Sequence, residues 1–375
     1  MKIVIDATTL LLRSAGVKTH LYYWLCALRQ VCRNRGDVVS TYPPRVSLNE
    51  LDHEKTGIGS SLAARLRLDV VGLANIRGNP AINLLLPGAD LFHCSQHTSN
   101  LPWNKRNTAT IFDLSCWRTP QFHTPENSAA TKRYGERILK RCDGLIANSE
   151  HARRDAEEIL GIAEDRIRVI YPGVAEPFFT TTSEQGAAAR EKYGLRAPYV
   201  LFVGCIEPRK NVPNLVRAYL RLPAGARQDS ELVIAGPFGW ASDEVRGMLT
   251  SRGRSVRYLG YVPEGDLPGL TRAAAALAYP SYYEGFGLPA AQAMACGTPV
   301  IASNSSCLPE VIGDAGLLFD PDSVEELSAA MNRVLTDSEL AQKLAGLGRA
   351  RAAAFHWRDH AAQSLDYFHE VTGRG

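Results

Sequence analysis

The sequence predicts an α/β protein made of two successive doubly wound domains, each a parallel sheet covered by helices. Three observations carry this reading. Short apolar runs alternate with helical patterns up to Tyr171, a Pro/Gly break at Pro172-Gly-Val-Ala-Glu-Pro177 interrupts them, and the same alternation then resumes. Such alternation argues for parallel strands buried on both faces. At 375 residues the chain is also long for one core, which makes two domains the default.

The elements follow in order. Lys2–Asp6 reads as a strand and Thr19–Val31 as an apolar-rich helix. Strands are expected at Ala89–Cys94, Ala109–Leu114, Gly144–Asn148 and Arg166–Tyr171. Helices are expected at Glu126–Arg141 and at Ser149–Leu160, where Ser149 supplies an N-cap hydroxyl. After the break, a polar Thr, Ser, Gln and Gly stretch through Gly186 reads as a linker. Strands then fit Tyr199–Val203, Glu231–Ala235, Val256–Tyr261, Ala275–Tyr279, Pro299–Ala302 and Gly316–Phe319. Helices fit Asn211–Leu222, Asp243–Ser251, Leu288–Ala295, Ser323–Leu335 and Ser338–Phe355, and Trp357–Val371 is amphipathic with aromatic anchors. No internal repeat indicates a solenoid. Open parallel sheets bind ligands outside the carboxyl ends of their strands. Two of them in tandem predict a cleft that holds a donor on one side and an acceptor on the other, a geometry suited to group transfer.

Composition narrows the function classes. Hydrophobic residues make up 45% and charged residues 22%, as in ordinary soluble proteins. Met1-Lys-Ile-Val-Ile-Asp6 has no long apolar stretch and no run approaches a membrane span, so the expected location is the cytosol. Eight cysteines show no C-x-x-C pair and no zinc spacing, and several sit in apolar segments, which reads as reduced and structural. Residues 1–175 carry 23 Lys and Arg against 17 Asp and Glu. This mildly basic half permits anionic substrates or peripheral contact with the inner membrane face, and it is also compatible with an ordinary solvated surface. Its density is far below that of a nucleic-acid binder.

Two stretches carry chemistry. In the first, Glu284-Gly-Phe-Gly-Leu-Pro289 leads into a helix, with Pro289 suited to the first turn. Gly285 and Gly287 let the backbone approach a ligand. The free N–H groups of such a helix favour an anion, typically phosphate. A carboxylate beside a phosphate cradle fits a ligand with both charge and hydroxyls, such as a nucleotide-sugar. In the second, Val203-Gly-Cys-Ile-Glu-Pro-Arg-Lys-Asn211, a strand ends at Gly204 and presents Arg209 and Lys210 just before a helix. Paired cations at a strand's carboxyl end are placed to neutralise a diphosphate. A solvated basic pair near a turn is the bland alternative. In the first half, Gly16 at a helix start is a candidate phosphate contact, as is Lys18, against a simple loop leading into the helix.

With these residues in view, the chain resembles the retaining glycosyltransferase family 4. The resemblance rests on E-G-F-G-L-P at 284–289 with A-M-A-C-G-T-P-V-I at 293–301, on G-x-I-E-P-R-K-N at 204–211, and on L-P-E-V-I-G-D-A-G-L-L-F at 308–319. Asp113-Leu-Ser, Asn148-Ser149 and Arg166-Ile-Arg-Val-Ile-Tyr-Pro-Gly173 extend it over nearly the whole chain. It implies the GT-B fold: two Rossmann-like domains with parallel sheets facing a central cleft and a C-terminal helix crossing back to the first. It further implies an acceptor domain at 1–173, joined by helix 356–375, and a donor domain at 174–355. Arg209 and Lys210 would hold the donor diphosphate, Glu284 the sugar, and the backbone of Gly285, Phe286, Gly287 and Leu288 the phosphates and sugar. Position 292 would meet the ribose and Gly16 the diphosphate from the first domain, with Gly204 lining the donor site. Asp113, His97 and Lys18 fall on the acceptor or sugar side. No metal and no cofactor is expected, since Arg209, Lys210 and the helix end replace a metal.

Two positions depart from that family's pattern. Gln292 stands where a second glutamate is usual; an amide can still pair with ribose hydroxyls, at a loss of roughly 1 kcal/mol of charge assistance. Phe112 stands where a histidine usually precedes Asp113, and it cannot reproduce that hydrogen bond. Other patterns weigh little. Gly285-Phe-Gly-Leu-Pro-Ala290 spells a dinucleotide fingerprint, yet the next strand ends in Ser303-Asn304 without a ribose-binding acid. Asp320-Pro-Asp322 reads as a turn into a helix, and His356 with His360 lacks a third metal ligand. The expectation is a cytosolic, metal-independent, retaining hexosyltransferase that moves sugar from a nucleoside-diphosphate sugar to a saccharide or lipid-linked acceptor in polysaccharide or glycoconjugate synthesis. The alternatives are a catalytically weak or inactive nucleotide-sugar-binding relative and a GT-B nucleotide-sugar epimerase.

Overall fold

The computed structural model describes residues 1–375 apart from 13–15, 45, 47, 49–50, 52–71, 77, 197, 241–242, 251–254 and 375. Met1–Arg118, Pro125–Gly173 and His356–Gly375 form one compact unit; Thr119–Thr124 and Val174–Phe355 form the other. The loop expected before Gly16 and the end of the expected helix at Ser251 fall partly outside the described residues.

The first unit is built on a six-stranded sheet of β1 (Lys2–Asp6), β2 (Val38–Tyr42), β3 (Leu91–Cys94), β4 (Arg106–Ile111), β5 (Gly144–Ala147) and β6 (Ile167–Val169). Its order is β2-β1-β3-β4-β5-β6, and every pairing is parallel. Side chains alternate between faces along a strand, so Ile3 and Ile5 enter one core and Val4 the other. The Ile3 face is covered by α1 (Gly16–Arg35) and the C-terminal helix Trp357–Val371, whose Trp24, Leu25, Leu28, Leu365 and Phe368 interlock there. The opposite core is covered in part by α2 (Pro125–Arg137) and α3 (Glu150–Leu160). Ser149 caps α3, its hydroxyl accepting from Ala152 N at 3.0 Å. Gly173 must be glycine for space: a Cβ there would lie 2.2 Å from Trp357 N.

Between α1 and the C-terminal helix sits a knot of aromatic rings. His20 meets Phe112, Trp357 and His360 edge to face, each with ring centres 5.1 Å apart. Among the described residues neither ring nitrogen of His20, nor His360 Nε2, nor Trp24 Nε1 has a hydrogen-bond partner. His360 Nδ1 bonds Tyr171 O at 2.9 Å, so this histidine serves packing and the backbone.

The second unit repeats the plan with β7 (Tyr199–Val203), β8 (Glu231–Ala235), β9 (Val256–Gly260), β10 (Ala276–Tyr279), β11 (Val300–Ser303) and β12 (Gly316–Phe319). The order β12-β11-β10-β7-β8-β9 is again parallel throughout. Val174 N donates to Phe355 O at 2.9 Å, closing the unit where its long stretch begins and ends.

Two expectations need correction. The stretch read as a linker through Gly186 is helical: α4 (Glu176–Thr180) and α5 (Ser183–Lys192) occupy it. Thr182 and Gln185 form a reciprocal capping box, which fixes the start of α5 despite the polar composition. The strand expected at Ala109–Leu114 begins at Arg106 instead and ends at Ile111. Its early part contains Thr108 and Thr110, whose hydroxyls bond the two ring nitrogens of buried His93 at 3.0 and 3.1 Å. A cross-strand partner lets these polar residues occupy a buried strand that apolar patterning alone does not show. The edge strand β2 was not anticipated.

Candidate active site

In the second unit the chain leaves β7 toward β8 and β9, then returns to lay β10, β11 and β12 on the other side. The crevice between β7 and β10 is the switch point where open α/β sheets bind ligands. There the segments Gly204–Lys210 and Tyr279–Gly287 meet. Pro208–Lys210 forms a single 3₁₀ turn, and Asn211 follows in the left-handed conformation at φ 56°, which Asn tolerates better than most residues. Asn211 Nδ2 anchors the turn on Pro321 O at 2.8 Å.

This geometry assembles four charges. Lys210 Nζ lies 2.5 Å from Glu284 Oε1 and 2.8 Å from the Tyr279 hydroxyl. Arg209 Nη1 lies 3.2 Å from Glu284 Oε2 and also donates to Tyr283 O, while its Nη2 donates to Glu207 Oε1 at 2.6 Å. Glu207, Lys210 and Glu284 are all buried. Burial alone would raise the Glu284 pKa, but the Lys210 and Arg209 charges outweigh it and bring it down to about 2. Burial likewise opposes the Lys210 charge, yet Glu284 holds its pKa above the ordinary lysine value. At neutral pH Glu284 is therefore a carboxylate that accepts hydrogen bonds, not a proton donor.

The segment after Glu284 runs into α6 (Leu288–Cys296) through Gly287 at φ 85°. This left-handed residue is also tightly packed, since a Cβ would come within 2.7 Å of Leu308 Cδ2. Phe286 is buried edge to face against Phe355, with ring centres 5.3 Å apart. Gln292 is buried in α6, and Leu288 and Gly285 flank the same turn. Thus Gly204, Arg209, Lys210, Glu284, Gly285, Phe286, Gly287, Leu288 and Gln292 all belong to one crevice and its adjoining helix.

The other candidates lie in the first unit. Gly16 opens α1 and is exposed. Lys18 is buried, with Nζ donating to Leu12 O at 3.0 Å. Asp113 is half-buried and accepts from Ser115 N and Oγ at 3.1 and 2.6 Å, capping a short helical turn. His97 is half-buried, and burial lowers its pKa. At this unit's own switch point, between β1 and β3, Asp6 accepts from Thr8, Ser95 and Thr98 hydroxyls at 2.6, 2.9 and 2.6 Å. That carboxylate is consumed by local structure, whereas the corresponding place in the second unit presents cations.

Glu207 and Tyr279 are partners of the cations that sequence reasoning did not single out. Glu207 stands two residues before Arg209, a local signal that could have found it; Tyr279 ends a strand 69 residues from Lys210 and carries no such signal. Asp320-Pro-Asp322 forms a turn, with Asp322 N on Asp320 Oδ1 at 2.9 Å, ahead of α7 (Val324–Thr336) capped by Ser323. Among the described residues no group of three or more His, Cys, Asp or Glu is placed to hold a metal ion, and no helix is long and apolar enough to cross a membrane.

Known proteins resemble this chain in sequence and in fold. The family model described as "Glycosyl transferases group 1" matches residues 187–351, and that described as "Glycosyltransferase Family 4" matches 15–176. The O-antigen chain mannosyltransferase B of Escherichia coli is 34% identical over 268 residues, 70% of each chain. The serotype-specific mannosyltransferase WbdA of the same species is 32% identical over 239 residues, 61% of this chain and 29% of WbdA. Among solved structures, HepE of Anabaena in complex with UDP and glucose superposes with a TM-score of 0.73 at 18% identity, covering 99% of this chain and 100% of that one, a likeness of fold.

Proposed function

The chain belongs to glycosyltransferase family 4, group 1, and from that premise we propose that it transfers mannose from a nucleoside-diphosphate donor onto a saccharide or lipid-linked acceptor during polysaccharide assembly. The observation that carries this reading is the buried Lys210–Glu284 pair, with Arg209 beside it, at the switch point ahead of α6. Arg209, Lys210 and the helix end meet the charge that develops on the leaving diphosphate, which stabilises the transition state more than the ground state. Glu284 accepts from hydroxyls of the donor sugar. In a retaining transfer the bond from the anomeric carbon to phosphate oxygen breaks, the acceptor oxygen bonds the same face, and its proton passes to the departing phosphate. The cations perform the task that a divalent metal performs in other transferases, so the reaction is metal-independent. Mannose is favoured by the names of the O-antigen relatives.

The test is a panel of UDP, GDP and ADP sugars offered with mannose-terminated acceptors, with and without EDTA, and product analysis by NMR. Transfer of mannose with its anomeric configuration kept and with EDTA tolerated is the expected result. An inverted product overturns retention, loss of activity in EDTA overturns metal independence, and transfer of another sugar overturns the donor. No transfer to any acceptor overturns the activity.

A further inference from the structure

The backbone of Glu284 is gripped at both ends by side chains of two consecutive residues. Its N–H donates to Ser306 Oγ at 2.9 Å, and its C=O accepts from Cys307 Sγ at 3.1 Å. Burial raises the Cys307 pKa, which keeps the thiol protonated and able to donate. Just upstream, Ser281 O accepts from Ser303 Oγ and from Ser305 Oγ, the latter at 3.1 Å. The end of β11 and the loop after it therefore clamp the irregular segment that carries Glu284.

Ser306 holds this place in an unfavourable conformation. Its φ is 52°, in the left-handed region that costs a non-glycine residue about 1–2 kcal/mol. Elsewhere in this unit the left-handed residues at 287 and 297 are glycine, which adopts that conformation without the cost, and the one at 211 is asparagine, which tolerates it better than most residues. A turn requirement alone would be met better by glycine at 306. What serine adds is a hydroxyl aimed at the Glu284 amide. Strain of this kind persists where the surroundings over-determine it, commonly at functional sites.

We infer that Ser306 is a positioning residue for the reaction: its hydroxyl fixes the Glu284 backbone, and through it the carboxylate shared by Lys210 and Arg209. This rests on the glycosyltransferase reading of the site. The contact that carries this role runs to the Glu284 backbone, through which Ser306 acts. A carboxylate displaced by about 1 Å can lose on the order of 10²-fold in rate.

The experiment compares Ser306→Gly with Ser306→Ala in the full-length protein. Glycine relieves the strain but removes the hydroxyl; alanine removes the hydroxyl and keeps the strain. Expected are a Tm for Ser306→Gly at or above wild type, kcat lowered about 10- to 100-fold in both variants, and a donor KM changed less than threefold. Hydrogen exchange of the Glu284 amide should quicken at least tenfold in both, with protection in β10 and β11 unchanged. Wild-type kcat in Ser306→Gly, or unchanged Glu284 exchange, overturns the inference. The exchange measurement needs no substrate, so a wild-type enzyme inactive on every donor would sink the glycosyltransferase reading while leaving this test to be decided on its own.

Discussion

Lys210 Nζ sits 2.5 Å from Glu284 Oε1, so the lysine at the β7–β10 crevice is already engaged by a carboxylate before any diphosphate arrives. Arg209 is likewise held by Glu207. The crevice is therefore not a bare positive hole. Under the proposed function a bound diphosphate would exchange partners with the two carboxylates, which meanwhile keep the cations oriented. A buried ion pair adds little net stability, but removal of one member leaves the other stranded.

Lys210→Met should consequently lower unfolding stability by up to about 3–5 kcal/mol, because it removes the nearer of the two cations that hold the buried Glu284 charge and leaves only Arg209. The double variant Lys210→Met/Glu284→Leu should regain most of that loss in urea titrations, yet both should fall by about 10²–10³ in kcat/KM. A double variant as unstable as the single one would show that the pair is not the source of the effect.

The histidine knot and the Glu284 pair should respond to acid in different windows. Burial, reinforced by mutual repulsion, keeps His20 well below the usual 6.5, and burial holds His93 and His360 near 3 and 4. Below pH 6.5 the unfolded chain therefore binds more protons than the folded one, and the first unit loses stability as pH falls from about 6.5 toward 4. Glu284 behaves differently: its contribution is complete above about 4.5 and fades as pH falls toward 2. Hydrogen exchange corrected for intrinsic rate should show helix Trp357–Val371 loosening at pH 5 while the Glu284 segment stays protected. His20→Leu should flatten the pH 5 to pH 7 difference; equal stability of wild type at the two pH values would refute this account.

Gln292→Glu should tighten donor binding about fivefold, the equivalent of roughly 1 kcal/mol of charge assistance. Because position 292 is buried, the added carboxylate should also lower the Tm of the ligand-free protein, and nucleotide-sugar should restore it. Calorimetric titration with the donor checks the first claim and thermal melts the second.

Gly287→Ala should impair both stability and turnover. Its Cβ would meet Leu308 Cδ2 at 2.7 Å in a conformation that already disfavours side chains, a cost of about 1–2 kcal/mol before any displacement of α6. A Tm and donor KM equal to wild type would show that the start of α6 tolerates the change.

Legibility from sequence followed the physics of each feature. Strands β1, β7, β8 and β12 were readable at their ends because short apolar runs are bounded by turn residues. β4 was displaced because Thr108 and Thr110 become compatible with burial only through His93, which arrives from another strand. The cations and Glu284 were visible as motifs, since each motif fits within a few residues. Their direct ion pair across 74 positions was not, nor was the grip of Ser306 on Glu284, because the first exists only once β7 lies beside β10 and the second only once β11 lies beside β10.

The hydrogen bond from Val174 to Phe355 shows that most of the second unit is a continuous excursion, bounded at both ends by residues of the first. On the ribosome this reverses the usual sequence of events, in which the domain nearer the amino terminus matures first. Strands β1 to β6 emerge early, but Trp357, Leu365 and Phe368, which cover the Ile3–Ile5 face, are synthesised only after residue 355. The second unit is thus the first whose residues are all available, and the unit begun first is the last to be sealed. During that interval α1 covers the Ile3–Ile5 face without its partner helix, and the part left for Trp357, Leu365 and Phe368 stays open to chaperones and to aggregation.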